Sequence, residues 1–153
     1  YEEENAVGMV DFYGTEEHVQ LFMKRPEMNA CTDGLLGGKP HPRVYGAFPR
    51  ILGKYVREDK ALTLEEAVYK MTKKPATAFN MTDRGELREG AYADITIFNP
   101  ETVIDKGTFT DPIQYPEGIE YVMINGELVV KNGAHTGVRN GVVLRKKGKE
   151  VVK

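Results

Sequence analysis

The sequence predicts an α/β fold whose character changes near residue 82. Up to that point apolar residues recur at helical spacing, with short β-branched runs between the helices. Beyond it the period shortens to that of strands, punctuated by Gly85, Gly90 and an Asn125-Gly126 pair. A length of 153 residues leaves room for one domain or little more, at roughly 100–200 residues per domain. The expected division is a mixed α/β part over 1–82 and an all-β part over 83–153.

Taken in order, AVGMVDF (6–12) reads as a short strand ended by Gly14. Thr15 is placed as the N-cap of a helix whose first turn carries Glu16 and Glu17, carboxylates favoured at the positive helix end. Val19, Phe22 and Met23 share one face of it, and Pro26 stops it. MNACT (28–32) reads as a buried strand ending at Asp33-Gly34. Residues 34–47 hold Gly34, Gly37, Gly38, Gly46, Pro40 and Pro42 without periodicity, which predicts a long loop. Pro49 suits the first position of a helix that buries Phe48, Ile51, Leu52, Tyr55 and Val56.

Thr63-Leu64-Glu65-Glu66 spells a capping box, and Leu64, Ala67, Val68 and Met71 form the stripe behind it. Pro75 ends or interrupts that helix, and Ala76 to Phe79 supply a short further turn. Asp94 to Phe98 is expected to be a strand. Asn125-Gly126, between two apolar runs, is expected to turn a hairpin. Asn132-Gly133 and Asn140-Gly141 mark later turns, 141–145 a last strand, and 146–153 a solvated tail.

Composition excludes several classes. Hydrophobic residues at 41% and charged residues at 29% are ordinary for a globular chain and argue against disorder or a collagen-like repeat. Lys and Arg total 21 against 23 Asp and Glu, so no excess of cations suits the chain to nucleic acid. Cys31 is the single cysteine, which rules out an internal disulfide and fits a reducing, cytoplasmic setting. No apolar run reaches the roughly 18 residues needed to cross a bilayer, and YEEEN lacks the features of a secretory leader.

Asp33 is the leading chemical candidate. A carboxylate at the C-terminal end of a strand, before a Gly-rich loop, stands where α/β folds bind ligands and could move a proton or meet a metal ion. Asp-Gly is also a common turn pair. His18, His41 and His135 form neither His-x-His nor His-Glu-x-x-His, so the chain offers no compact zinc site. His18 and His135 read as surface or capping residues. Cys31 is a candidate nucleophile, but without a nearby base a packed thiol is the better reading. In 41-HPRVYGAFPR-50 the planar fork of Arg43 suits an anionic substrate group or a surface carboxylate, Arg50 suits a structural pairing, and Tyr45 and Phe48 suit packing. The glycines of 34–38 match no phosphate-binding loop.

The segments CTDGL, GGKPHPRVYGAFPRILGKYVRE, LTLEEAVYKMTKKPATAFNMTDRGELREGAYADITIFNPETV and YPEGIEYVMINGELVVKNGAHTGVRNGVVLR resemble the C-terminal region of the D-aminoacylases, within the metal-dependent amidohydrolases. The segment at 84–94 is shared widely among amidohydrolases, whereas 41–50 is more specific to the deacylases.

The resemblance implies a metal-dependent (β/α)8 barrel with a small β-sandwich. Residues 6–12 and 28–32 would be about the seventh and eighth barrel strands, and residues from 83 the C-terminal segment of the sandwich. It further implies zinc, with Asp33 as the acid that handles the proton of the activated water, and His41 and Arg43 beside the substrate. Thr32 stands where the family most often has Ser. Most metal ligands would lie outside this chain, with Asp33 a possible contributor. The chain is therefore expected to be the C-terminal piece of a hydrolase of N-acyl-D-amino acids, partnered by the enzyme's N-terminal portion. Two alternatives stand beside this: an amidohydrolase of cyclic amides, like hydantoinases or dihydroorotases, and a non-catalytic α+β interaction module.

Overall fold

The computed structural model describes residue 11 and residues 13–145. The strand expected at 6–12 and the tail at 146–153 lie outside the described residues, Asp11 apart. The rest is α/β: four α-helices and one π-helix precede a small antiparallel sheet.

Helix α1 (Glu16–Lys24) starts where its cap predicts, with the His18 amide donating to Thr15 Oγ1 at 3.4 Å. None of its residues is buried, although Met23 packs against the core. Residues 28–32 form no strand, contrary to expectation. They have no strand partner among the described residues, and Cys31 is exposed rather than packed. The periodicity was too short to specify pairing, which needs a neighbouring strand to supply the ladder.

The next helix also departs from expectation. Helix α2 (Arg43–Arg50) begins six residues before Pro49, with Pro42 at its N-cap, and so shortens the predicted loop. Pro49 is buried inside the helix instead of opening it. Its ring cannot donate to the carbonyl four residues back. Directly after α2 the chain continues as a π-helix, Ile51–Glu58, which closes with the Asp59 amide on the Lys54 carbonyl at 2.8 Å.

Helix α3 (Leu64–Met71) has the predicted capping box. The Glu66 amide donates to Thr63 Oγ1 at 3.1 Å, and the Thr63 amide donates to Glu66 Oε2 at 2.9 Å. Thr72 breaks the helix, and α4 (Lys73–Ala78) follows with Pro75 in its first turn, where no amide donor is needed.

The sheet is a meander, β1 (Ile95–Phe98), β2 (Ile119–Ile124), β3 (Glu127–Lys131) and β4 (Ala134–His135), antiparallel throughout. Asn125 and Gly126 both have positive φ, 49° and 85°, as a two-residue type I′ turn requires. Asn132 and Gly133 repeat this at 51° and 73°. Asn140-Gly141 forms no turn, and 141–145 no strand. Asn140 is instead tied to the hairpin by side-chain bonds: Asn125 Nδ2 donates to its carbonyl at 2.9 Å, and its own Nδ2 donates to the Ile124 carbonyl.

The core lies where the helices meet the loop after β1. Leu52, Leu62, Ala67 and Val103 are buried together, with Ile51, Leu64, Phe98 and Ile119 packed around them. Gly53 allows the close approach. A Cβ there would lie 2.5 Å from the Val103 carbonyl oxygen and 2.4 Å from Ile104 Cδ1.

Candidate active site

The segment that leads to Asp33 is held by cations rather than by a sheet. Lys70 Nζ donates to the Arg25 carbonyl at 2.5 Å and the Met28 carbonyl at 3.2 Å. Lys74 Nζ donates to the carbonyls of Glu27 (2.8 Å) and Met28 (3.0 Å) and to Asn29 Oδ1 (2.9 Å). The Ala30 amide closes onto the Lys70 carbonyl at 3.1 Å. Helices α3 and α4 thus clamp residues 25–30, which satisfies backbone oxygens that a strand would have paired.

Asp33 follows with φ of 45°, a left-handed conformation that Asp tolerates better than most residues. The Gly34 amide donates back to Thr32 Oγ1 at 3.3 Å. The Asp33 carboxylate is exposed.

Arg43 joins the predicted site residues. Its Nε donates to the Asp33 carbonyl and its Nη2 to Asp33 Oδ2, each at 2.8 Å. Its backbone amide donates to His41 Nδ1 at 3.0 Å. An Nδ1 that accepts a hydrogen bond leaves the imidazole proton on Nε2, as a donor for a ligand. Burial, reinforced by the Arg43 charge, holds the His41 pKa below its ordinary value, which favours the neutral ring. Asp33, Arg43 and His41 are one connected group, built from the loop end and the first turn of α2.

Arg50, at the other end of α2, is structural as expected. It lies 3.4 Å from Asp105 and 3.8 Å from Glu16. Glu16 also accepts from the Tyr55 hydroxyl at 2.8 Å, and burial together with that bond raises the Tyr55 pKa. His18 contributes a backbone amide to the α1 cap, and His135 Nδ1 accepts from the Gly137 amide at 3.0 Å.

Sequence reasoning missed the loop between Ile104 and Glu117, which reaches α2 from the sheet side. Phe109 meets His41 edge-on with centroids 5.1 Å apart, and Tyr115 meets Tyr45 at 6.0 Å. The local signal was Thr108-Phe109-Thr110-Asp111, turn chemistry with an aromatic at its tip. An apolar hollow between Leu52, Leu64, Phe98 and Pro100 holds none of the candidate residues. Arg57 at its edge already donates to the Pro100 and Val103 carbonyls.

Among the described residues no three His, Cys, Asp or Glu side chains are grouped to hold a metal ion. Among them, too, no helix is long and apolar enough to cross a membrane.

Comparison with known proteins gives this geometry its context. The chain is 41% identical over 140 residues to an N-acyl-D-glutamate deacylase of Alcaligenes xylosoxydans xylosoxydans, covering 91% of the chain and 28% of the relative. A dihydroorotase of Lactobacillus acidophilus is 36% identical over 139 residues, covering 82% of the chain and 31% of that relative. Among solved structures, a D-aminoacylase superposes with a TM-score of 0.79 at 39% identity, over 81% of this chain and 26% of that one. The N-acyl-D-glutamate deacylase of Bordetella bronchiseptica, complexed with zinc and a phosphonate mimic of the tetrahedral intermediate, gives 0.74 at 42% identity, over 75% and 24%. The chain thus spans between a quarter and a third of the length of these two curated relatives. A model of the amidohydrolase family matches residues 32–130, from the residue before Asp33 into strand β3, and the chain belongs to that family.

Proposed function

We propose that this chain is the C-terminal portion of a metal-dependent hydrolase that cleaves the amide bond of N-acyl-D-amino acids. The observation that carries the reading is about 40% identity to N-acyl-D-amino-acid deacylases over nine tenths of the chain. In this reading residues 1–82 complete a (β/α)8 barrel and residues 83–153 complete a β-sandwich. The N-terminal portion of the same enzyme is the partner, and the setting is cytoplasmic.

Among the described residues Asp33 belongs to no group of three side chains that could hold a metal ion. Zinc, when bound, supplies an acidified water, and its ligands would come mostly from the N-terminal portion. The residues here have their own tasks. Asp33 accepts a proton from the attacking water and returns it to the departing amine nitrogen, as general base and then general acid. The Arg43 fork has a free edge for the substrate carboxylate while it steadies Asp33. His41, neutral and with Nε2–H to donate, takes a second polar group of the substrate.

The test is a profile of the full-length protein on N-acyl-D-amino acids, their L enantiomers, hydantoins and dihydroorotate. Turnover of the D compounds, with a 10²–10⁴-fold loss of kcat/KM in Asp33→Asn, is the expected result. Turnover of cyclic amides alone would move the protein to the dihydroorotase-like branch, which its weaker matches favour. An Asp33→Asn variant with near wild-type kcat/KM would remove Asp33 from the chemistry.

A further inference from the structure

We infer that the loop between Ile104 and Glu117 is a positioning element of the substrate site, with Phe109 as the residue that sets His41. The inference rests on His41 meeting substrate, and it extends the site into the part of the chain that carries the sheet.

Three observations support it. First, the loop is braced from within. The Thr108 amide donates to the Asp111 carbonyl and the Asp111 amide to Thr108 Oγ1, both at 2.9 Å. Gln114 Nε2 donates to the Asp111 carboxylate at 2.9 Å. Phe109 is therefore presented on a closed turn, and its position is set before any ligand arrives.

Second, the neck of the loop is fixed. Ile104 and Glu117 exchange both backbone bonds, at 3.2 and 3.0 Å, and Lys106 pairs with Glu117 at 3.1 Å.

Third, the loop touches α2 and its lead-in at every level. Phe109 meets the His41 ring at 89°, Tyr115 meets Tyr45, and Asp105 lies against Gly46 and Arg50. At Gly46 an added Cβ would come within 2.8 Å of Asp105 Cβ, and at Gly107 within 3.5 Å of Pro42 Cβ. Gly46 thus admits the loop to the helix that carries Arg43, whereas the tight contact at Gly107 is the Pro112 carbonyl oxygen at 2.9 Å, within the loop itself. His41 is consequently held on two sides, by the Arg43 amide at Nδ1 and by the edge-on Phe109 ring. Rotation of the imidazole would break both contacts.

The experiment uses the full-length, zinc-loaded protein with Phe109→Ala and Phe109→Tyr, the latter keeping the ring. Phe109→Ala is expected to raise KM about two- to tenfold, the range for one edge-on aromatic pair, with kcat within about twofold. Phe109→Tyr is expected to restore KM. Independently of activity, the ¹³C-labelled His41 imidazole resonance is expected to move in Phe109→Ala and to stay near its place in Phe109→Tyr. Unchanged KM with an unmoved resonance would overturn the inference. Equal loss in both variants, with a common fall in the unfolding midpoint, would overturn it too, since Phe109 would then be only structural. If the protein hydrolyses no N-acyl-D-amino acid but the resonance moves as expected, the substrate reading fails and the loop contact stands.

Discussion

Gly53 is the tightest point between the helices and the sheet-bearing half of the chain, and Gly53→Ala puts a number on it. A Cβ at this position would lie 2.4 Å from Ile104 Cδ1, 2.5 Å from the Val103 carbonyl oxygen and 3.2 Å from Ile104 Cα. The Ile104 methyl can swing aside. The Val103 oxygen cannot do so freely, because Arg57 Nη1 donates to it at 2.7 Å and Val103 itself is 1% exposed. Helix propensity alone would favour alanine by about 1 kcal/mol. Overpacking costs about 1–3 kcal/mol, more where backbone must move. Because the Val103 backbone must move, the overpacking cost falls in the upper part of that range, about 2–3 kcal/mol, and the expected balance is a destabilisation of about 1–2 kcal/mol. In urea, at a slope of about 1–3 kcal/mol per molar, the midpoint should fall by roughly 0.3–2 M. Gly141→Ala is the control, since nothing lies within 4 Å of the added Cβ, and its midpoint should hold or rise slightly. A Gly53→Ala protein as stable as the parent would refute the argument from close approach.

Two further outcomes follow from local chemistry. Thr63→Ala removes one half of the capping box and should cost about 1 kcal/mol, read as a lower denaturation midpoint, with Thr63→Ser close to the parent. His41 should titrate below the ordinary histidine value of about 6.5 in an NMR pH series. Its folded pKa is depressed, so above about pH 6.5 it leaves stability unchanged, and as the pH falls further the unfolded chain takes the proton first and folded stability declines. A His41 midpoint at or above 6.5 would contradict its burial beside Arg43.

Features encoded within four or five residues were legible in the sequence. The Thr15 cap, the Thr63–Glu66 box and the Asn125-Gly126 turn each depend on side chains and φ preferences local to them, and each stands in the structure. The features that failed depend on distant partners. Residues 28–32 had a strand's composition, but no strand lies beside them among the described residues, and lysines of α3 and α4 hold them instead. Pro49 looked like a helix start, yet α2 begins at Arg43 and passes through it. The same divide runs through the candidate site. Asp33, His41 and Arg43 could be picked out by residue type and by family likeness, and the structure joins them through one arginine. Phe109 carried only the local signal of a turn around it, because its partner His41 lies 68 positions away and only the folded loop brings the rings together.

The Asn125-Gly126 turn has a consequence for chemical ageing. Asparagine before glycine is the pair most prone to deamidation, which requires the glycine nitrogen to attack the side-chain carbonyl carbon. Here the Gly126 amide donates to the Ala93 carbonyl at 3.0 Å, and Asn125 Oδ1 accepts from Arg84 Nη2 at 2.8 Å. Asn132-Gly133 is guarded in the same way, with the Gly133 amide on the Glu120 carbonyl and Asn132 Oδ1 accepting from the Tyr121 hydroxyl. The two turns are kept intact by the bonds that shape them, so a mass gain at either asparagine records how often that hairpin has opened.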